Sequence, residues 1–203
     1  GLFGAEGGNT ETVDLEAGGR VQWRGERGRI RLQGSVAYEE SGGVEVEREA
    51  VGHLRHNLDL SAGWATVAFG QLQHDPFQRL TRRWLLGLGL RRDIQDDDRG
   101  HVRLGATPML EIEKIKDGGD PHARGRLSVF LHVARQLRED IRLDLVAFWQ
   151  PLFSDLAATR ASATATFSID LTGAVDLRVG AAVDDNSRPP AQVARTDWET
   201  FLG

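Results

Sequence analysis

The sequence predicts an all-β fold: a closed, antiparallel, up-and-down transmembrane β-barrel of about 12 strands, built as a single domain over residues 1–203. Three observations carry this prediction. Apolar residues recur with a period of two along almost the whole chain. Clusters of Gly, Asp, Asn and Pro break that alternation at short intervals. No run approaches the ~18 apolar residues that a membrane-crossing helix needs. Glycine, at 24 of 203 residues, is well above the usual share of about 7%, and helix interiors penalise it.

The period of two is clearest at Arg29–Tyr38, where Ile30, Leu32, Val36 and Tyr38 share one face and Arg29, Arg31, Gln33 and Ser35 the other. Successive strand side chains point to opposite faces, so this segment lies between two different environments. The same pattern sets Val13, Leu15, Ala17, Val21 and Trp23 against Asp14, Glu16, Arg20 and Gln22. It sets Val102, Leu104 and Leu110 against His101, Arg103 and Glu111, and Val129 and Leu131 against Arg126, Ser128 and His132. Leu143 and Leu145 oppose Arg142 and Asp144; Phe167 and Ile169 oppose Arg160 and Asp170; Leu177 and Val179 oppose Asp176 and Arg178.

The expected strands are 2–8, 11–23, 29–39, 44–60, 64–74, 82–92, 101–114, 124–136, 141–153, 159–171, 174–184 and 195–202. Segments 44–60 and 124–140, rich in Arg, Glu, Leu and Ala, also admit a helical reading, but the alternation persists through both. Short connections are expected at Arg24–Gly28, Ser61–Gly63, Leu137–Asp140 and Thr172–Gly173, with Asp93–Gly100 somewhat longer. Longer ones are expected at Glu40–Gly43, Asp75–Thr81, Ile115–His122 and Asp185–Ala194, on the opposite side. Turns this short join antiparallel neighbours. Both ends read as interior pieces of strands, so the sequence is expected to be a processed or trimmed segment.

Size decides which face points inward. Side chains fill a barrel of about eight strands, whereas 12 strands enclose a wider space. An apolar interior that wide needs a large ligand, whereas a charged one is filled by side chains and water. The apolar face then becomes a lipid-facing band. Lipid offers no hydrogen-bond partners, so the sheet must close by pairing its first strand with its last. Trp23 and Trp64 fall beside short turns and Trp84, Trp149 and Trp198 nearer longer loops, as two interfacial rims require.

The lipid-facing set is therefore Leu15, Leu32, Leu88, Leu104, Val129, Leu143, Phe167 and Leu177. The lumen-lining set is Arg20, Arg31, Arg55, Arg91, Arg103, Arg126, Arg142, Arg160 and Arg178, with Asp14, Glu16, Glu111, Asp144, Asp170 and Asp176. Glu49, Asp59 and Glu199 share that face, making nine charges of each sign. Such a face can conduct and select solutes by charge, or fill the interior with cross-strand pairs.

The residues exclude more chemistry than they suggest. Cysteine is absent, which removes disulfides and Cys-ligated metals. Net charge is −5 with no basic tail, which argues against nucleic acid as a partner. No glycine-rich phosphate loop joins a strand to a helix. His53 and His56 point to opposite sides of a strand and do not share a metal. Asp96–Asp98 and Asp117–Asp120 read as solvated turns rather than spaced calcium ligands. His132 with Ser128 on the same polar face is the candidate for a Ser–His–acid site, yet the pleat turns it away from lipid. The expected protein has no catalytic residue, no metal and no cofactor.

Gly8-Asn9-Thr10 before a long strand, Asp75-Pro76-Phe77 followed by Leu86-Gly87-Leu88-Gly89-Leu90, and Asp184-Asp185-Asn186-Ser187 with Pro189-Pro190 and Asp197 also form a pattern. In order and spacing it resembles the salt-induced outer-membrane protein family. The resemblance covers nearly the whole chain and implies an outer-membrane β-barrel of no established activity. The chain departs from the pattern around Arg91, where aromatics are expected, and in ending without an aromatic residue, which suggests a shortened last strand.

Together these readings give a non-enzymatic protein of the Gram-negative outer membrane, porin-like, either a narrow solute channel or a structural component of the envelope. Its partners are outer-membrane lipid and lipopolysaccharide, with small solutes as candidate cargo. Two other classes fit parts of the pattern: a soluble periplasmic lipocalin-like barrel carrying an apolar ligand, and an outer-membrane lipid hydrolase.

Overall fold

The computed structural model describes residues 2–6, 12–77, 79–116, 118–172 and 175–202; side chains are described from Leu15 onward, residues 45–47 excepted. Twelve strands follow in chain order: β1 (Leu2–Glu6), β2 (Thr12–Arg24), β3 (Gly28–Ser41), β4 (Val44–Asp59), β5 (Trp64–Asp75) and β6 (Leu80–Asp97). They continue with β7 (Gly100–Ile115), β8 (His122–Gln136), β9 (Ile141–Leu152), β10 (Asp155–Asp170), β11 (Asp176–Asn186) and β12 (Thr196–Leu202). Each strand is hydrogen-bonded to its neighbours in sequence, as an antiparallel up-and-down meander. β1 is paired with β2 and β12 with β11; the expected pairing of first strand with last is not among the described pairings. The 44–60 and 124–140 segments, for which a helix was an alternative, are the strands β4 and β8. The motif Gly8-Asn9-Thr10, the turn residue Gly173, the acid Asp117 and the side chain of Asp14 lie outside the described residues.

Two expected loops prove to be strand. Asp93–Asp97 continues β6, leaving only residues 98 and 99 as the turn, because the Asp93 carboxylate joins Arg91 and Arg103 across the ladder. Residues 155–158 begin β10, with a register shift between Asp155 and Thr159 against β9. The division into short and long sides is also less regular than expected. β3 runs through Ser41 and turns on Gly42 and Gly43, whose φ values of 59° and 76° suit a two-residue hairpin.

Chain contacts gather the protein into two compact units, whose boundaries fall within β5, β6 and β7 as well as beside turns. The first comprises 1–58, 67–88 and 109–124. Here β2 and β3 pair Val21 with Leu32 and Trp23 with Ile30, and β4 continues the row with Leu54 opposite Leu32. The polar face carries Gln22 opposite Arg31, Arg31 opposite Arg55 and Gln33 opposite His53. Each apolar cross-strand pair contributes roughly 0.2–1 kcal/mol, so register and facing are specified together.

The second unit comprises 59–66, 89–108 and 125–203. Its apolar face pairs Leu143 with Phe167, Phe167 with Val179 and Val183 with Trp198. Its polar face includes aromatics that a purely charged face would lack. Phe130 and Phe148 lie with centroids 6.0 Å apart, and a Cβ on Gly105 would fall within the Phe130 ring. Gly105 is thus the seat of Phe130, a requirement of close approach rather than of turn geometry.

Candidate functional site

The two faces have inverted environments. Leu88 is 67% exposed, whereas Arg91 on the opposite face of the same strand is 8% exposed and Glu111 is 0% exposed. Leu15, Leu32, Leu104 and Phe167 are also exposed, and Val129, Leu143 and Leu177 are half-buried. The buried charges thus lie on the face opposite the exposed leucines, interleaved there with the buried Val67, Leu85, Met109 and Phe130.

In the first unit, Arg83 Nε approaches Glu111 Oε1 at 2.6 Å with both side chains largely buried. Burying two charges is tolerable only when they are paired, and this geometry is that of a charge-assisted hydrogen bond. Arg83 had not been included among the lumen residues; its parity with Arg91 on β6 would have found it. His53 stacks on Phe69 with centroids 5.8 Å apart, and its Nδ1 lies 3.0 Å from Gln71 Oε1, while His56 is exposed on the other face. Arg55 Nε donates to Asn57 Oδ1 at 3.3 Å, and Arg31 Nη2 donates to Gln22 Oε1 at 3.4 Å. Glu16 and Arg20 are exposed at this end of the sheet.

In the second unit, Asp93 is the hub that sequence reasoning missed by assigning it to a loop. Its Oδ1 lies 2.8 Å from Arg91 Nε and 3.2 Å from Arg103 Nε. Arg91 Nη2 also donates to Asp59 Oδ1 at 3.0 Å, and Arg103 Nη2 lies 3.7 Å from Asp96 Oδ2. Arg126, buried as expected, donates to the carbonyls of Gln150 at 2.8 Å and Ala158 at 3.4 Å, tying down the irregular start of β10. Arg142, Arg178, Asp170 and Asp176 are exposed, and Arg160 and Asp144 are half-buried.

The histidine and serine of the hydrolase alternative have separate neighbours. Ser128 Oγ accepts a hydrogen bond from Gln150 Nε2 at 3.3 Å. His132 stands between His101, at 3.3 Å from Nδ1, and Asp144, at 3.4 Å from Nε2. Among the described residues no three His, Asp or Glu side chains converge as a metal-ligand set.

At the rims, Arg92 lies over the Trp64 ring, 5.3 Å from its centroid, and donates to the Ala62 carbonyl. At the tip of the β6–β7 hairpin, hydrogen bonds from Arg135 and then Gln95 hold the exposed Asp97 carboxyl below the usual carboxylate range. The loop after β11, one of the longer connections and expected at Asp185–Ala194, runs over 187–195 and is fixed at both roots. Arg188 pairs with Asp155, Arg195 with Asp185 at 3.1 Å, and Ser187 Oγ bridges the β10 backbone at Thr159 and Ala157.

An antiparallel meander with its charged face buried and its apolar face exposed defines a class of β-protein rather than an activity. The chain belongs to the family described as "Protein of unknown function, DUF481", which matches residues 2–203. Among solved structures it is similar to one titled "NanC porin structure in rhombohedral crystal form", with a TM-score of 0.53 and 11% identity over 98% of this chain and 94% of that one. At that identity the likeness is one of fold. No curated protein matches the chain.

Proposed function

We propose that this chain is an outer-membrane β-barrel of the Gram-negative envelope, closed between β1 and β12, whose charged face lines a largely filled lumen. It acts without catalysis, as a narrow solute channel or a structural component of the envelope. One observation carries the reading: one face of the sheet exposes row after row of large apolar side chains, while the opposite face buries Arg91, Glu111, Glu113 and Arg126, a pattern opposite to that of a water-soluble sheet. The similarity in fold to a porin supports the same class, and the resemblance to the salt-induced outer-membrane family supports the same location. The Arg83–Glu111 and Arg91–Asp93–Arg103 pairs favour a filled interior over an open pore, because they take up both signs of charge where the face is most buried.

The test is direct. The purified protein should require detergent, show a heat-modifiable mobility on gels and give small or no steps in planar bilayers. A protein soluble without detergent that binds an apolar ligand would replace this reading with the lipocalin-like one. A large open conductance would overturn the filled lumen. Ester hydrolysis lost on His132→Ala would overturn the non-enzymatic assignment.

A further inference from the structure

The exposed face of β6 and β7 changes chemistry at one end. Along β6, Arg82 shares its face with Trp84, Leu86, Leu88 and Leu90, all exposed. Along β7, Lys114 and Lys116 continue the exposed series of Leu104, Ala106, Pro108 and Leu110. These are the only two lysines in the sequence. The strand ends lie side by side, because the Lys116 N–H donates to the Arg79 carbonyl at 2.7 Å. Arg82 is three residues into β6 from that bond and Lys114 two residues back along β7. Antiparallel pairing therefore sets Arg82 and Lys114 abreast to within about one residue. His74, on the same face of β5, joins this corner with its Nδ1 2.7 Å from the Thr81 carbonyl oxygen.

Among the described residues, the side chains of Arg82, Lys114 and Lys116 have no ion-pair partner, in contrast to the neighbouring Arg83. The acids of these strand ends, Asp75, Glu111 and Glu113, are buried on the opposite face. Asp120 is exposed in the loop that follows. Like charges abreast on a sheet repel, and a shared anion relieves that. The arrangement selects the anion: Arg offers a planar fork to phosphate and Lys a point charge. Immediately below the cations lie an indole and a run of leucines, which suit acyl chains.

We infer that Arg82, Lys114 and Lys116 bind the phosphates of lipid A, the bisphosphorylated glucosamine lipid of lipopolysaccharide, with its acyl chains laid over Trp84, Leu86 and Leu110. The inference rests on the outer-membrane reading, with the β5–β6 and β7–β8 loops facing the outer leaflet.

The full chain in detergent is titrated with lipid A, with lipid A stripped of both phosphates, and with phosphatidylglycerol, and bound lipid is counted by native mass spectrometry. Wild type should prefer phosphorylated lipid A at least roughly tenfold, as a few headgroup-level cations allow. Arg82→Gln with Lys114→Gln and Lys116→Gln should abolish that preference, and Arg82→Lys with Lys114→Arg should keep it. Equal binding with and without phosphates in wild type would overturn the inference, and that comparison needs no variant to fold. Unchanged preference in the triple variant, or phosphatidylglycerol binding as tightly at these residues, would also overturn it. Failure of the outer-membrane reading would look different: the protein would be soluble before any lipid was added.

Discussion

Placing a charge at Leu88 separates a membrane-facing sheet from a water-facing one. Leu88 is near the centre of the exposed row of β6, between Arg82 and Arg92. Those cations are ten residues apart in the sequence. A strand rising ~3.3 Å per residue and tilted by about 45° separates them by roughly 23 Å along the membrane normal. That is close to the apolar band of about 25 Å that outer-membrane barrels present to lipid, so in the proposed barrel Leu88 would fall near its midplane. Arg there should cost roughly 2–4 kcal/mol in a bilayer. The same substitution at a water-exposed position would stay within about 0.5 kcal/mol. Reversible urea unfolding in phospholipid vesicles, followed by tryptophan fluorescence, measures the difference. Leu104→Arg, nearer the short-turn end of β7, should cost less than Leu88→Arg. A Leu88→Arg protein as stable as wild type, or a cost that ignores depth, would refute the assignment of this face to lipid.

Further outcomes follow from the charged face. Glu111→Gln should destabilise by about 3 kcal/mol, the low end for breaking a buried pair because Arg83 keeps slight solvent access; a double-mutant cycle with Arg83→Gln should return a coupling above about 1 kcal/mol in the same unfolding assay. Arg103→Gln with Arg126→Gln should leave acids such as Asp93 undercompensated, lower stability and shift any bilayer conductance toward cations, read as a reversal potential in a salt gradient. Asp97 has a folded pKa below its unfolded value, so its contribution is fully present above the ordinary carboxylate pKa and fades as pH falls through the depressed one. Asp97→Asn should therefore weaken the hairpin tip near neutral pH and make no difference in strong acid, as judged by amide exchange at residues 97–101.

The period of two made the strands, their order and the two faces legible, because alternation and register are the same fact read once along and once across the sheet. The strand ends were less legible. Asp93–Asp97 resembles a turn by composition, yet its first carboxylate is required between Arg91 and Arg103, a demand from β7 that no local window contains. The loop after β11 looks unanchored because its residues are small and polar, but Ser187 and Arg188 bond to β10, some thirty residues distant. Phe130 interrupts the polar face of β8, and the gap that accepts its ring over Gly105 is set by the neighbouring strand rather than by any local window. Parity placed Arg126 on the charged face and would have placed Arg83 there too, but whether such a residue meets a carboxylate or a carbonyl is decided by register.

The nine bases and nine acids that parity assigns to that face, to which the structure adds Arg83, Asp93 and Glu113, do not make it electrically uniform. Register sets Arg31 opposite Arg55, Asp170 opposite Asp176 and Asp184 opposite Asp197, while Arg91, Asp93 and Arg103 neutralise one another. Like charges directly opposite across strands are destabilising where no counter-charge reaches them. Charge is therefore grouped by register along the face: Arg31 with Arg55 on β3–β4, Asp170 with Asp176 and Asp184 with Asp197 on β10–β12, and both signs together on β6–β7. Any solute moving along such a face meets these fields locally, since charges more than about 8–10 Å apart are screened from one another in physiological salt. Selectivity in the proposed channel therefore depends on which locus the open path touches, and the totals of nine and nine bear on solubility and pairing rather than on passage.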